Sequence, residues 1–286
     1  MKQTILATGA SSGFGRLIVK KFHDEGWNVI ATMRSPEKKE DLSELENVLV
    51  ERLDVNDQDS IEKAVAAGID AFGDIHALVN NAGYGGFALF EQFSDEDARA
   101  MFDTNFFGAL ATSRAVLPMM RKNGAGAIIN ITSIAGFFAG PMVSIYSASK
   151  FALEGLTESL AYEYGPLGIN VRSVAPGSFG TGFLSASVRK DAHADEALSS
   201  WGNAISKHIE ATRANMRAQG GSEPNPELVA EKVFECVTQD TPIHNTVGAD
   251  ADMMLSMLET MPHQDFLDQM AKMLLPPAES READQS

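Results

Sequence analysis

The sequence predicts an α/β fold: a single domain built on a doubly wound parallel sheet with helices on both faces. Short β-branched runs alternate along the chain with longer amphipathic stretches, a pattern typical of parallel strands joined by right-handed crossover helices. Near-continuous apolar runs such as residues 127–131 suit strands that are buried on both faces. The chain has 286 residues, which is enough to bury a sizeable core.

Each element is predicted from its own apolar periodicity and its turn-forming residues. The predicted strands are residues 3–8, 27–33, 48–55, 77–80, 127–132 and 170–174, with a weaker last strand around 245–248. The predicted helices run from residue 13 to about 25 and over 57–72, 95–121, 144–164 and 226–238. Residues 1–275 form the predicted domain, with an insertion of short helical pieces at about 178–225. Residues 276–286 are polar and predict a disordered tail.

The composition narrows the classes of partner and of site. The formal net charge of -16 argues against a nucleic-acid partner and against an anionic membrane surface. Cys236 is the one cysteine, so it predicts a small core residue and suits a reducing compartment. No apolar run approaches the roughly 20 residues of a membrane span, and no secretory pattern opens the chain, which predicts a cytoplasmic protein. The six histidines lack ligand-like spacing, so no metal is predicted.

Three glycines follow the first predicted strand, in the segment Thr8-Gly9-Ala10-Ser11-Ser12-Gly13-Phe14-Gly15. Glycine permits positive φ and close approach of a backbone to a pyrophosphate, and the helix behind supplies unpaired N–H donors. A tight turn without a ligand is the alternative. The place between the first strand and first helix of a βαβ unit favours dinucleotide binding. The candidate cofactor residues here are Gly9, Ser11, Ser12, Gly13, Phe14 and Gly15.

The end of the second predicted strand favours NADP over NAD. An NAD site places a carboxylate there for the ribose 2′-OH, but residues 28–36 hold none and include Arg34. A guanidinium pairs with a 2′-phosphate, and the hydroxyls of Ser12 and Ser35 add donors. A solvated surface arginine is the alternative. Asp54 and Val55, at the end of the third predicted strand, are candidates for bounding the adenine; a turn role for Asp54 is the other interpretation.

The pair Tyr146 and Lys150 carries the chemistry. Their spacing of four places them on one face of a helix. A phenol with a pKa near ~10 is a weak base at neutral pH, and an ammonium about 5 Å away stabilises the phenolate by about 3 kcal/mol at an effective dielectric near 20. This predicts a lowered pKa for Tyr146 and a general acid/base. Ser133 follows the fifth strand, at the sheet edge where α/β ligands bind.

Together these residues resemble the short-chain dehydrogenase/reductase family, in its single-domain Rossmann-type form. The resemblance covers about residues 1–182 in order and spacing. The matching residues are Thr8-Gly9-x-x-x-Gly13-x-Gly15, Asn80-Asn81-Ala82-Gly83, Asn105, Ser133, Tyr146-x-x-x-Lys150, and Pro176-Gly177 with Thr181. Residues 150–156, residues 247–251 and Arg34 look like the branch of hydroxysteroid and retinol dehydrogenases and bacterial ketone reductases.

The resemblance implies a role for each residue. Tyr146 would be the acid/base, Lys150 would lower its pKa and hold the nicotinamide ribose, and Ser133 would orient the carbonyl. Asn105 would position a water in a proton relay to Lys150. The other implied cofactor contacts are Asn81, Ala82 and Gly83 on the adenosine-ribose side and Pro176, Gly177 and Thr181 at the nicotinamide end. Ser178-Phe179-Gly180 departs from the family pattern, which leaves the conformation of that loop open.

The implied reaction interconverts a carbonyl and an alcohol with NADP(H). Apolar residues expected to overhang the site favour a bulky hydrophobic substrate; they are Phe137, Phe138, Met142, Phe179, Phe183, Leu184 and Trp201. A non-catalytic dinucleotide-sensing protein and an NAD-dependent alcohol dehydrogenase are the alternatives. An epimerase or dehydratase of similar fold would show a different glycine turn and a larger C-terminal domain. The family's pairing through helices 95–121 and 144–164 implies a homo-oligomer.

Overall fold

The computed structural model describes residues 2–38, 40–179, 196–218 and 225–277. Its strands form one parallel sheet in the order β3-β2-β1-β4-β5-β6-β7. They are β1 (Thr4–Ala7), β2 (Asn28–Met33), β3 (Val48–Arg52), β4 (Ala77–Asn80), β5 (Gly126–Ile131), β6 (Ile169–Pro176) and β7 (His244–Val247). The strand order reverses between β1 and β4, which opens a crevice at their carboxyl ends. The predicted fold class is confirmed.

Helices cover both faces of the sheet. They are α1 (Gly13–Asp24), α2 (Glu40–Ser43), α3 (Gln58–Phe72), α4 (Asp95–Phe102), α5 (Gly108–Asn123), α6 (Ser144–Tyr164), α7 (Glu196–Ala218), α8 (Glu227–Thr238), α9 (Ala249–Thr260) and α10 (His263–Leu274). The predicted helix over 95–121 is divided, because a π-helical turn at Asp103–Phe107 separates α4 from α5. That turn carries Asn105 and shifts its side chain relative to a continuous α-helix.

Alternation along the strands divides the core into two layers. Ile5 and Ala7 of β1 point to one face and pack with α1 and α8, whereas Leu6 points to the other and packs with α3 and α5. Cys236 lies fully buried in the first layer, as its composition-based interpretation as a core residue predicted. The two layers hold the carboxyl ends of β1, β4, β5 and β6 at one edge of the sheet.

The C-terminal third differs most from the prediction. Residues 196–218 form the single helix α7 instead of short pieces, and helices α9 and α10 were not predicted. Helix α7 depends on tertiary packing: Ile205 and Ile209, four residues apart, are buried in a small cluster with Met142 and Leu274. Pro276, the predicted start of the tail, is buried, and residues 278–286 lie outside the described part of the chain. No helix among the described residues is long and apolar enough to cross a membrane.

Candidate active site

The glycine-rich turn after β1 has a backbone that only small residues fit. Gly9 and Gly13 adopt positive φ values of 68° and 54°. A Cβ on Gly9 would lie 2.9 Å from the Cα of Ala82, and one on Gly15 would overlap the carbonyl oxygen of Gly9. At Gly13 a Cβ would meet no atom within 4 Å. The turn is therefore tightly packed on its inner side and open beside Gly13, at the start of α1.

The segment after β4 braces this turn. The side-chain Nδ2 of Asn81 donates to the carbonyl oxygens of Thr8 at 2.9 Å and Gly9 at 3.2 Å. The Oγ1 of Thr8 accepts from the backbone N–H groups of Asn81 and Ala82, both at 3.0 Å. The Thr8 hydroxyl and the Asn81 side-chain Nδ2 therefore both have hydrogen-bond partners within the protein. Asn81 and Ala82 thus fix the shape of the glycine turn.

The start of α1 fits a phosphate group. Ser12 occupies the N-cap position without a side-chain capping hydrogen bond, and the first turn of the helix holds no acidic residue. Its backbone N–H groups and the positive end of the helix dipole suit an anion. Arg34 follows β2 directly and is exposed. In the described part of the chain no carboxylate forms an ion pair with it, so its guanidinium fits a second anionic group.

The two residues predicted to bound the adenine lie beyond the strand that was expected to carry them. Strand β3 ends at Arg52, so Asp54 and Val55 belong to the following loop. Asp54 Oδ1 accepts from the N–H of Asn56 at 3.1 Å, which gives it the turn role that the sequence left open. Val55 is buried and packs against the start of α5, where a Cβ on Gly108 would lie 2.6 Å from its Cγ2.

Ser133, Tyr146 and Lys150 meet at the carboxyl edge of the sheet. Ser133 follows β5 and opens a 3-10 turn at Ile134–Gly136, where its Oγ accepts from the N–H of Ala135 at 3.1 Å. Tyr146 lies in the first turn of α6, with its hydroxyl close to the Ser133 side chain. The Nζ of Lys150 lies 5.7 Å from the centre of the Tyr146 ring and donates to the carbonyl oxygen of Ile131 at 2.8 Å. The three predicted residues therefore form one group.

Asn105 joins this group from the π-helical turn. It is 1% exposed, and its Nδ2 donates to the carbonyl oxygen of Tyr84 at 2.9 Å and to Ser149 Oγ at 3.0 Å. Its Oδ1 accepts from the N–H of Tyr84 at 3.0 Å. A Cβ on Gly83 would lie 3.0 Å from Asn105 Oδ1 and 3.8 Å from Lys150 Nζ. Gly83 therefore leaves a narrow space between the amide and the ammonium.

The ionisation of the pair differs from the expectation. Burial raises the pKa of Tyr146 to about 12, and the hydrogen bond with Ser133 acts in the opposite direction. Burial also lowers the pKa of Lys150 to about 8, while the charge of Glu154 raises it. The predicted lowering of the Tyr146 pKa was based only on the attraction between the phenolate and the Lys150 ammonium. It did not include the cost of desolvating the phenolate. Among the groups that the structure describes, desolvation is the larger effect.

The loop after β6 is hydrogen-bonded to β7, the outermost strand on that side of the sheet, and to helix α9. Pro176 is buried, the N–H of Gly177 donates to the carbonyl oxygen of Val247 at 2.9 Å, and the N–H of Ser178 donates to Asp250 Oδ2 at 2.7 Å. A Cβ on Gly177 would overlap the Asp250 carboxylate. Thr181 lies outside the described residues. Asp250 was missed as a site residue, although residues 247–251 were noted as a stretch typical of one branch of the family.

The apolar residues expected above the site are used in packing. The ring of Phe137 contacts His244, that of Phe138 contacts Phe266, and that of Phe179 contacts Phe14, with centroids 5.3, 5.6 and 5.4 Å apart. Met142 and Trp201 belong to the small cluster of α7 and α10. Phe183 and Leu184 lie outside the described residues. Met142 is buried in that cluster, and Trp201 is half-buried at its margin.

Comparisons with known proteins agree with this geometry. A family model described as short chain dehydrogenase matches residues 3–192. An uncharacterised oxidoreductase of Bacillus subtilis is 37% identical over 249 residues, covering 83% of this chain and 85% of that protein. A 3-ketodihydrosphingosine reductase of Bacteroides thetaiotaomicron is 42% identical over 181 residues, covering 63% of this chain and 65% of that protein.

Solved structures extend the likeness beyond residues 3–192. A short-chain dehydrogenase from Streptomyces avermitilis has a TM-score of 0.78 at 31% identity and covers 95% of both chains. A family member from Burkholderia phymatum in complex with NAD has a TM-score of 0.74 at 25% identity, covering 91% of this chain and 97% of that one. ElxO with NADP bound has a TM-score of 0.71 at 26% identity, covering 88% and 100%. Members of this fold thus bind NAD or NADP. The chain belongs to the short-chain dehydrogenase/reductase family of oxidoreductases.

Proposed function

We propose that this protein interconverts a carbonyl and an alcohol with NADP(H), with Tyr146 as the general acid/base. The observation that carries the proposal is the meeting of Ser133, Tyr146 and the buried Lys150, whose Nζ lies 5.7 Å from the centre of the Tyr146 ring. These groups lie at the carboxyl edge of the sheet, where the glycine turn also ends. When bound, the nicotinamide supplies or accepts a hydride. The residues of this chain orient the substrate oxygen and move its proton.

Each residue has a defined task in the proton transfer. Ser133 and Tyr146 hydrogen-bond to the substrate oxygen from two sides and set its position. Because the pKa of Tyr146 is about 12, its phenol carries a proton at neutral pH and donates it as negative charge develops on the carbonyl oxygen. Lys150 in its cationic form stabilises the phenolate that is left. Asn105 fixes the helix turn beside Lys150 through its bonds to Tyr84 and Ser149.

Arg34 supports NADP over NAD. It stands where an NAD-binding protein of this fold carries a carboxylate, and it has no ion-pair partner in the described part of the chain. The start of α1, with Gly13 and Phe14, is the proposed site of the pyrophosphate. Gly83, Asp54 and Val55 are proposed on the adenosine side, and Pro176, Gly177 and Thr181 at the nicotinamide end. NAD would leave the guanidinium of Arg34 without a ligand group.

A hydrophobic ketone or aldehyde is the proposed substrate class. Met142 lies in the loop between Ser133 and Tyr146, and it packs in an apolar cluster with Ile205 and the half-buried Trp201 of α7. The name of one relative, 3-ketodihydrosphingosine reductase, agrees with this class. A small charged aldehyde would make no apolar contact with these side chains.

Turnover of NADPH with a panel of carbonyl compounds tests the proposal. We expect loss of NADPH absorbance with apolar ketones or aldehydes and a fall in kcat of about 10²–10⁴-fold in Tyr146→Phe. Tyr162→Phe is the matched control, because Tyr162 lies on the same helix and is 71% exposed. A non-catalytic sensor would bind NADPH without consuming it. Absence of turnover above the Tyr146→Phe level with every compound would contradict the proposal.

A homo-oligomer is proposed from the surface of the same helices. Phe107 beside α5 and Phe151 and Tyr162 on α6 are 52%, 45% and 71% exposed. Exposed large apolar side chains on neighbouring helices favour a protein interface. Light scattering of the full chain after size exclusion measures the mass, and a value of 30.7 kDa would contradict the oligomer.

A further inference from the structure

Next to the catalytic group lies a second cluster of titratable side chains that the proposed proton transfer does not use. His244 at the start of β7 contacts two carboxylates of α6: its Nδ1 lies 2.8 Å from Glu154 Oε2 and its Nε2 lies 2.9 Å from Glu158 Oε1. The Nδ1 also lies 3.1 Å from Ser173 Oγ of β6, and Phe137 covers the ring edge-on. Within the described part of the chain, Glu154 and Glu158 are the charged groups that face the imidazole.

The two carboxylates differ in their access to water. The side chain of Glu154 is 7% exposed and that of Glu158 is 52% exposed, with His244 between them at 26%. The second oxygen of Glu154, Oε1, is buried and has no hydrogen-bond partner among the described residues. A buried carboxylate oxygen without a donor is costly, so a structural role alone would favour an amide or an apolar residue here.

Glu154 lies one helical turn beyond Lys150 on α6, so the two side chains share one face of the helix. Gly136 packs against both: its Cβ, if present, would lie 3.1 Å from Glu154 Cγ and 3.1 Å from the carbonyl oxygen of Lys150. The hydrogen bond of Lys150 Nζ goes to the neutral carbonyl of Ile131. The carboxylate of Glu154 is the negative charge that acts on this amine.

We propose that Glu154 is a positioning residue for Lys150 and that His244 holds Glu154 in place. The buried carboxylate of Glu154 keeps the amine of Lys150 in its cationic form. Burial drives Lys150 towards the neutral amine, and its pKa of about 8 leaves little margin above neutral pH. A neutral Lys150 would no longer stabilise the phenolate of Tyr146. The pKa of His244 is raised by its hydrogen bond with Glu154, and its two ring nitrogens contact Glu154 Oε2 and Glu158 Oε1, which holds the Glu154 side chain in place.

The consequence for catalysis rests on the proposed function, but the charge state of Lys150 does not. Glu154→Gln removes the negative charge and keeps the shape of the side chain. We expect Lys150 to lose its proton about one pH unit lower in this variant, a tenfold loss of proton affinity. Glu158→Gln is the matched control: it makes the same change on the same helix, against the other nitrogen of His244, at an exposed position. We expect it to leave the Lys150 titration unchanged.

NMR of the full chain labelled with 13C at lysine Cε, titrated without substrate, measures this directly. The Lys150 signal is identified by its loss in Lys150→Arg, and thermal unfolding checks that each variant is folded. A lower titration midpoint in Glu154→Gln and an unchanged one in Glu158→Gln support the proposal. An unchanged midpoint in Glu154→Gln, or equal shifts in both variants, would overturn it. Because no turnover is needed, failure of the proposed reaction would be seen separately, in the NADPH assay.

Discussion

The carboxylate of Asp250 accepts a hydrogen bond from the backbone N–H of Ser178 at 2.7 Å, and so ties the loop after β6 to the first turn of α9. The same carboxylate fills the space where a side chain on Gly177 would lie. The loop is proposed to hold the nicotinamide end of the cofactor. Its shape is thus set by a residue 72 positions further along the chain.

Removing this carboxylate is expected to weaken dinucleotide binding with little loss of stability. Asp250→Ala deletes one charge-assisted hydrogen bond at a partly exposed site, worth about 1 kcal/mol, or about a fivefold rise in Kd for NADPH. Asp252→Ala is the control: Asp252 also lies in the first turn of α9 but accepts from Thr246 Oγ1. Fluorescence titration gives both Kd values. Equal losses in the two variants would show that Asp250 acts only through the helix dipole.

The lowered pKa of Lys150 predicts a protein that becomes more stable as pH rises above about 8. Between the folded pKa of about 8 and the ordinary value of 10.5, the unfolded chain binds the proton and the folded chain does not. Stability therefore rises across this range, by about 2 kcal/mol between roughly pH 7.5 and 9.5. Tyr146 acts in the opposite direction but only above its ordinary value of 10.0, because its folded pKa is about 12.

Urea unfolding of wild type and Lys150→Met at these two pH values measures the effect. Methionine fills a similar volume without a proton to lose, so the variant is expected to lack the rise that Lys150 contributes. The difference in unfolding free energy between the two proteins isolates that contribution from other titrating groups. A rise of the same size in Lys150→Met would show that Lys150 is not its source.

Arg34 is expected to distinguish the two dinucleotides. In Arg34→Asp the Kd for NADPH should rise by about 10–100-fold, since a charge-assisted pair of 1.5–3 kcal/mol is lost and a repulsive carboxylate is added. The Kd for NADH should change less than threefold on the same scale. Arg121→Asp, an equal charge change in the last turn of α5, controls for net charge. Equal losses for NADPH and NADH would contradict a role of Arg34 at the 2′-phosphate.

The parallel sheet and the position of the carboxyl ends of its strands could be predicted, because buried parallel strands have a strong local sequence pattern. The segments at 77–80 and 144–164 end where β4 and α6 end. Periodicity could not show the π-helical turn at Asn105, whose extra residue is stabilised by the hydrogen bonds that Asn105 makes to Tyr84 and Ser149. Helix α7 was missed for a related reason: its order depends on packing with α10, which lies about 60 residues away along the chain.

The grouping of Ser133, Tyr146 and Lys150 could be predicted, whereas its electrostatics could not. Order and spacing brought Ser133, Tyr146 and Lys150 together, since all three follow local strand and helix signals. Predicting the pKa of Tyr146 requires knowing how deeply its hydroxyl is buried, and sequence spacing does not give this. Desolvation reversed the predicted direction of the pKa shift. The contact between Glu154 and His244 was not predicted, because 90 residues separate them along the chain. They meet through the pairing of β6 and β7.

The glycine turn offers a test of which glycine the fold requires. Alanine at Gly15 would overlap the carbonyl oxygen of Gly9, so the turn must shift; we expect a loss of about 2 kcal/mol in stability and weaker NADPH binding. Alanine at Gly13 meets no atom but keeps a positive φ of 54°, which costs about 1 kcal/mol. Gly155→Ala, within α6 in open space, should stabilise the chain by up to about 1 kcal/mol. Urea unfolding and NADPH titration rank the three variants, and a Gly15→Ala protein as stable as wild type would refute the close packing of this turn.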